Sequence, residues 1–113
     1  MIVRNLNDKE VMDTTYLAHG GAIARMVLTY RELEAMDFFA FAHLEPGKTI
    51  EEHVDPYEEI YFIMNGGGVM GVGDETREVK PGDAIWLPRG VPHKLHNNTD
   101  GPCQVLVVAA TPK

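Results

Sequence analysis

The chain has 113 residues, of which 17 are acidic and 10 are Lys or Arg, so its formal net charge is −7. This length fits one domain, residues 1–113, that buries roughly two-thirds of its unfolded surface, while the negative charge and the lack of a basic stripe argue against nucleic acid and anionic membranes as partners. The single cysteine, Cys103, excludes an intramolecular disulfide, and together with the lack of a signal-peptide pattern it favours a cytoplasmic location.

Turn-forming Gly and Pro residues recur about every eight to twelve positions, which is typical of an all-β sandwich or barrel. Residues 1–20 are polar and weakly patterned, so we interpret them as an N-terminal arm that either lies against a partner subunit or is frayed. Residues 31–36 favour a helix by composition, although one too short to be stable alone. The predicted strands span residues 23–30, 38–44, 59–64, 68–72, 76–80, 84–87, 93–97 and 104–110. All but the first of these strands lie in a core region at 38–110.

Side-chain alternation assigns residues of two predicted strands to faces. Glu59, Tyr61 and Ile63 share one face of their strand, and His93 shares a face with Leu95. If Glu59 and His93 both point into the interior, then Tyr61, Ile63 and Leu95 line the same cavity. The opposite face of the Glu59 strand is also apolar, which predicts a strand buried between two sheets.

His53, Glu59 and His93 stand in two stretches bounded by Gly and Pro turns, residues 47–66 and 82–97. Imidazole and carboxylate together suit a divalent first-row metal, and turns on either side would aim them at one ion. Glu59 begins an apolar strand, where an unpaired buried carboxylate is costly and a metal would remove that cost. We interpret the other carboxylates nearby as a solvated acidic loop: Glu51, Glu52 and Glu58.

The remaining histidines, His19, His43 and His96, have no such spacing. An isolated His is more often a surface residue or a hydrogen-bonded core residue than a ligand, so we interpret all three in that way. His43 lies on the same predicted face as Phe39 and Phe41, which makes it the one of the three expected to approach the cavity.

The two stretches resemble the paired motifs of the cupins, which are small double-sheet jelly-roll barrels. The first cupin motif has a Gly, then His-x-His, Glu and Gly at set spacings, and the second has Gly, Pro-x-Gly, His and Asn. Nine positions fall in register with these patterns: Gly47, His53, Glu59, Gly66, Gly82, Pro88, Gly90, His93 and Asn97. The resemblance implies an all-β double-stranded β-helix, the jelly-roll cupin barrel, as a single-domain protein.

The resemblance also implies a ligand set. In the cupins the two His of the first motif, its Glu and the second-motif His hold one metal, which carried over gives His53, Glu59 and His93. The second His of the first motif is replaced here by Asp55. Asp55 is expected either to be the fourth ligand, as a harder oxygen donor, or to orient the His53 imidazole. This set favours Fe, Mn, Ni or Zn over copper.

Three functional hypotheses follow from the resemblance. The leading one is a small metalloenzyme of dioxygenase, isomerase or decarboxylase type that acts on a small oxygenated metabolite. The first alternative is a non-catalytic cupin that binds or senses a small molecule, and the second is a metal-free structural barrel. We also expect a homodimer, formed through an outer sheet face that includes the apolar run at 105–108 and the N-terminal arm.

Overall fold

The computed structural model describes residues 1–113 and confirms the all-β prediction. Ten strands and one short helix follow in chain order: α1 (Lys9–Met12), β1 (Tyr16–Ala18), β2 (Ala22–Thr29), β3 (Phe38–Leu44), β4 (Thr49–His53), β5 (Glu58–Asn65), β6 (Gly68–Val72), β7 (Glu75–Val79), β8 (Ala84–Leu87), β9 (His93–His96) and β10 (Cys103–Ala110). The helical part of the chain is neither long nor apolar enough to span a membrane.

The strands form two antiparallel sheets that face each other across the core. The larger sheet has the order β1-β2-β3-β10-β5-β8, and the smaller has the order β4-β9-β6-β7. Strands distant in sequence are neighbours in both sheets, so the two motif stretches come together by pairing of β4 with β9. This is the layered arrangement in which each sheet buries one face against the other.

The core lies between the two sheets and follows the two-residue period of the strands. In β10 the buried residues are Cys103, Val105, Val107 and Ala109, and the residues between them are only partly buried. Burial raises the pKa of the Cys103 thiol, as expected for a cysteine that acts as a small hydrophobic residue at the start of a strand.

The structure corrects the prediction that the Glu59 strand is buried on both faces. Glu59, Tyr61 and Ile63 are buried in the core, but Ile60 and Phe62 on the opposite face are 46% and 40% exposed. The reason is that β5 lies inside the larger sheet, whose second face has no layer packed on it. An apolar face therefore remains in contact with solvent.

The N-terminal arm is neither frayed nor detached. Its strand β1 pairs with β2 at the edge of the larger sheet, and Val11 of α1 is fully buried. The Thr14 hydroxyl accepts a hydrogen bond of 2.8 Å from the Met26 backbone N–H, and Arg4 forms an ion pair of 2.9 Å with Glu32. The arm thus folds onto its own sheet.

Residues 31–36 were predicted as a helix, and this prediction is wrong. Only one turn forms there, in which the Glu32 and Leu33 backbone N–H groups both donate to the Thr29 carbonyl. The Glu32 carboxylate accepts hydrogen bonds from the Thr29 backbone and from Arg4 instead of remaining on a helix surface. A segment this short cannot offset the cost of helix nucleation, so these local contacts decide its conformation.

Candidate metal centre

Four side chains that are distant in sequence converge at one end of the space between the sheets. His53 ends β4 and His93 begins β9, and the two are paired directly in the smaller sheet. Glu59 lies in β5 of the larger sheet, paired with Leu87, and Asp55 lies in the connection between β4 and β5. The site therefore joins both sheets and both motif stretches.

The nitrogen and oxygen atoms of these four side chains form a compact group. One donor atom from each of His53, Asp55, Glu59 and His93 lies within 4.8 Å of all the others. His53 Nε2 is 3.1 Å from Asp55 Oδ2, and His93 Nε2 is 3.6 Å from both Asp55 Oδ2 and Glu59 Oε1. The side chains are nearly enclosed, with 2% exposure for His93 and 14% for His53.

Hydrogen bonding within the chain does not explain this arrangement. Asp55 Oδ2, Glu59 Oε1 and His93 Nε2 are buried without a hydrogen-bond partner. Buried polar atoms are rarely left in this state, and here three of them point at one spot. Atoms that bind one ion at about 2.0–2.2 Å lie roughly 3 to 4 Å from each other, which matches the distances observed. The residues fit a divalent metal.

The backbone sets the orientation of both imidazoles. His53 Nδ1–H donates to the Glu51 carbonyl at 2.8 Å, and His93 Nδ1 lies 3.4 Å from the Val91 carbonyl. Since a carbonyl only accepts, these contacts hold the proton on Nδ1 and leave Nε2 of each ring free as a metal ligand. Both Nε2 atoms face the carboxylates.

The pKa shifts of Glu59 and His93 are those of a site that lacks a positive charge. Burial, with a further contribution from Asp55, raises the pKa of Glu59 to about 9. Burial and the neighbouring His53 lower the pKa of His93, so the imidazole is held neutral. Glu59 therefore carries a proton at neutral pH unless a cation is present, and a dication among these atoms would favour the carboxylate.

The predicted cavity residues do not all border the site. The Tyr61 ring meets the His93 ring edge-to-face at 5.8 Å, and burial followed by the charges of Glu59 and Asp55 raises the Tyr61 pKa. Ile63 and Leu95 are fully buried in the hydrophobic core cluster and pack as core residues instead of lining an open cavity. Along their strands, Ile63 lies four residues beyond Glu59 and Leu95 lies two residues beyond His93.

His43 lies on the outer face of β3, which corrects its assignment to the cavity. The buried residues of β3 are the small Ala40 and Ala42 together with Leu44, so the larger side chains between them point outward. His43 Nε2 donates to Glu45 Oε1 at 3.0 Å, and the Gln104 amide donates to His43 Nδ1 at 3.2 Å. His43 does share a face with Phe39 and Phe41, as predicted, but that face points outward and not into the cavity.

A residue that sequence reasoning did not select lies directly against the site. The His19 ring stacks on the His53 ring with centroids 3.4 Å apart and planes 6° from parallel. Tyr16 and Tyr57 are also close enough that, after burial, the charges of Glu59 and Asp55 raise the pKa of each hydroxyl. The signal in the sequence was His19-Gly20-Gly21, a turn that places His19 beside β4 only once residues 16–18 are identified as a strand.

Two open cavities lie away from the four ligands. One of about 820 Å³ opens between β7 and β8, where its apolar lining includes Met70, Val72 and Ile85. Another, of about 410 Å³, lies on the outer face near His43. The metal centre itself is compact and enclosed by its own side chains.

Comparison with known proteins agrees with this architecture. Residues 40–109 match the family Cupin_2, described as the cupin domain. A relative from Methanocaldococcus jannaschii, an uncharacterized protein, is 42% identical over 55 residues, which cover 49% of this chain and 44% of that protein. The chain spans about half to two-thirds of the length of the curated relatives it matches.

Solved structures show the same fold at low sequence identity. A predicted oxalate decarboxylase from Thermotoga maritima superimposes with a TM-score of 0.85 and 23% identity, over 98% of this chain and all of that chain. The polyketide cyclase RemF from Streptomyces resistomycificus gives a TM-score of 0.77 and 22% identity, over 98% of this chain and 81% of that chain.

Proposed function

The chain belongs to the cupin domain family, and from that premise we propose that it is a small metalloenzyme that acts on a small oxygenated metabolite. One divalent transition metal, from among Fe, Mn, Ni and Zn, is bound by His53, Asp55, Glu59 and His93. The observation that carries the proposal is the convergence of four donor atoms within 4.8 Å, three of them buried without a hydrogen-bond partner.

The charge of the donor set supports a dication. Two neutral imidazoles and two carboxylates carry a total charge of about −2, which a divalent ion neutralises, so the closed site buries no net charge. The mixture of nitrogen and oxygen donors suits the four metals named and is too hard for Cu(I).

When bound, the metal supplies Lewis acidity to a carbonyl or enolate oxygen of the substrate. The chain contributes by positioning the metal ligands and by enclosing the site. The Glu51 carbonyl holds His53 with Nε2 toward the site, and Tyr61 packs against His93 on the inner side. Glu59, Tyr61 and His93 are all buried. Small oxygenated molecules present the oxygen atoms that such an ion accepts, and oxalate, named for one fold neighbour, is a molecule of this kind.

The proposal is tested by elemental analysis of protein purified without an affinity tag. We expect about one metal ion per chain, and an increase in melting temperature when Fe, Mn, Ni or Zn is returned to chelator-treated protein. Oxygen uptake and product analysis with a panel of keto acids, diketones and dicarboxylates then identify the reaction type. Protein without metal, whose melting temperature no added ion changes, would contradict the proposal.

A second candidate is a non-catalytic cupin that binds or senses a small molecule. Two observations favour it: Asp55 occupies the position at which the family has His, and the open cavity of about 820 Å³ is not lined by any of the four ligands. This candidate predicts a bound metal and ligand-induced stabilisation without turnover, so the same substrate panel separates it from the enzyme.

We further propose that the protein is a homodimer formed through the outer face of the larger sheet. We call this surface the apolar outer face; it consists of Ile60, Phe62, Met64, Trp86, Leu106 and Val108. Register pairing places Leu106 beside Phe62 and Val108 beside Ile60, so the surface is continuous. Val105 and Val107 of the predicted interface run are buried in the core and do not contribute.

A second copy is the occupant that this surface fits. An antiparallel sheet with one face on a core usually has a polar second face, whereas Trp86 and Phe62 here are 63% and 40% exposed. A two-fold interface uses the same patch on both subunits. Glu58 is the charged neighbour of this patch: it is exposed, and its carboxylate accepts a hydrogen bond of 3.1 Å from the Trp86 indole. The six apolar residues themselves bring no like charges together between two chains of charge −7.

The dimer is tested by sedimentation velocity. We expect a dimer for the unmodified chain and a monomer for Phe62→Asp, with the metal content of the monomer unchanged. Thr76→Asp, on an exposed position of β7 in the other sheet, is the matched control and should remain dimeric. A monomeric unmodified chain, or a dimeric Phe62→Asp variant, would refute this interface.

A further inference from the structure

We propose that His19 is a positioning residue that fixes the ring plane of the metal ligand His53. The inference rests on the proposed metal site and adds to it a residue from the N-terminal hairpin, outside both motif stretches. Its basis is the parallel stack of the two rings, with centroids 3.4 Å apart and planes 6° from parallel.

The stack adds a second restraint to the one that the hydrogen bond of His53 supplies. Rotation of an imidazole about its last side-chain torsion is intrinsically broad, and the contact from Nδ1 to the Glu51 carbonyl restrains it at one edge of the ring only. A second ring lying flat on the first blocks that rotation. The His93 ring approaches His53 at 4.2 Å and 67°, so His53 is held between two neighbours.

His19 is itself held firmly against β4. Its carbonyl accepts a hydrogen bond of 2.9 Å from the Glu51 backbone N–H, the residue whose carbonyl also receives the His53 proton. The turn is packed so closely that a Cβ on Gly21 would lie 1.9 Å from the Thr49 carbonyl oxygen. His19 has a positive φ of 46°, a conformation that His tolerates better than most residues. The backbone of one residue, Glu51, therefore holds both the His53 ring and the turn that carries His19.

The stacked geometry makes His19 a support and not a fifth ligand. The lone pair of an imidazole nitrogen lies in the ring plane, so an ion bound by His53 Nε2 lies in the plane of the His53 ring. The lone pairs of His19 lie in a parallel plane about 3.4 Å away and cannot point at that ion. In agreement, His19 is not part of the four-residue donor group.

Two substitutions distinguish the role of the His19 ring from the role of its nitrogen atoms. His19→Asn removes the ring, and Asn also tolerates the left-handed backbone, so the turn is retained. His19→Phe retains a flat ring but has no nitrogen. The matched control is His43→Asn, which removes an imidazole from the outer face of β3.

The measurement is the dissociation constant for Mn²⁺ and for Zn²⁺, obtained by competition with a chelator. We expect His19→Asn to bind about tenfold more weakly, the scale typical of groups that support a ligand, while His19→Phe and His43→Asn stay within about threefold of the unmodified chain. Equal affinity of His19→Asn and the unmodified chain would overturn the inference. Equal weakening of the Asn and Phe variants would overturn it in favour of a nitrogen ligand.

A second readout uses metal-free protein. The stack should shift the His53 ring protons upfield in NMR spectra through the ring current of His19, and this shift should be lost in His19→Asn and kept in His19→Phe. An unchanged His53 spectrum in His19→Asn overturns the inference whether or not metal binds. An unmodified chain that binds neither ion would instead overturn the proposed metal site, so the two failures are distinguishable.

Discussion

The two halves of the proposed metal centre are held in different ways. The histidine half, His53 and His93, lies on paired strands of one sheet, and each Nδ1 faces a backbone carbonyl two residues earlier. The carboxylate half, Asp55 and Glu59, comes from a loop and from the opposite sheet, and one oxygen of each is buried without a hydrogen-bond partner. The backbone thus preorganises the histidines, whereas these two carboxylate oxygens have no hydrogen-bond donor from the chain.

This difference predicts where an ion matters most for stability. A buried polar atom without a partner costs about 1–3 kcal/mol, and in this site the cost for the carboxylates is reduced only when Glu59 takes up a proton. The histidine half should therefore decide whether metal binds in the right place. Glu59, in the carboxylate half, should make the metal-free protein less stable as the pH rises.

The largest effect is expected in the histidine half. His93→Ala removes a ligand that the backbone already aims at the site, so we expect metal affinity to fall about 100-fold or more and stability to fall by about 1–3 kcal/mol from the cavity left behind. The measurements are metal content after dialysis and thermal unfolding. His96→Ala, on the opposite face of the same strand, is the matched control and should retain its metal. Full occupancy in His93→Ala would show that the ligand assignment is wrong.

The second prediction concerns the pH dependence of the metal-free protein. The pKa of Glu59 is raised in the folded state from 4.5 to about 9, so the folded chain holds a proton that the unfolded chain releases. Stability is therefore greatest below pH 4.5 as far as this group is concerned, and it is lost as the pH rises from 4.5 toward 9. The lowered pKa of His93 acts in the opposite direction below its ordinary value of 6.5, because there the unfolded chain takes up a proton that the folded chain does not. We therefore expect the melting temperature in chelator to fall by roughly 5 °C between pH 6.5 and pH 8.

Glu59→Gln isolates this contribution, because Gln cannot ionise and occupies nearly the same volume. In chelator, the melting temperature of Glu59→Gln should fall less over the same range than that of the unmodified chain. In metal-loaded protein the sign reverses, since the ion favours the carboxylate and competes with protons less as the pH rises. Identical pH profiles for the two chains without metal would show that Glu59 is not the group that responds.

Much of the site could be predicted because it depends on side-chain alternation and turn residues within short segments of the chain. The bounds of β3, β6 and β8 agree with the predicted strands, and the two-residue period placed Glu59 and Tyr61 on one face. Turn residues and motif spacing select His53 and His93, and the structure brings them together. These features follow from local steric preferences, which are visible in a single sequence.

The rest depends on pairing between distant segments. Strand β4 was missed because its sequence, Thr-Ile-Glu-Glu-His, is short and charged, and it forms a strand by pairing with β9. The stack of His19 on His53 was missed for the same reason, since it requires β1 to pair with β2 and the turn between them to reach β4. Whether a short segment forms a strand depends more on the strands that it pairs with than on its own sequence.

The smallest effect of this series should come from Asp55, the position at which the carboxylate half departs from the family pattern. The loop that carries Asp55 is tied to the second motif stretch by its backbone, because the Gly90 N–H donates to the Asp55 carbonyl at 3.0 Å. A side-chain substitution should therefore leave the loop in place. Asp55→Asn removes the charge and weakens the donor, so we expect metal affinity to fall about tenfold.

Asp55→His tests what the departure contributes. It restores a nitrogen ligand and the family pattern, so the metal should still bind, but one carboxylate then leaves a net positive charge in a buried site. We expect an affinity between those of the unmodified chain and Asp55→Asn, and stronger dependence on an added anion such as acetate that restores neutrality. Chelator competition with and without acetate measures both. If Asp55→Asn bound metal as tightly as the unmodified chain, Asp55 would not be a ligand, and the carboxylate half would consist of Glu59 alone.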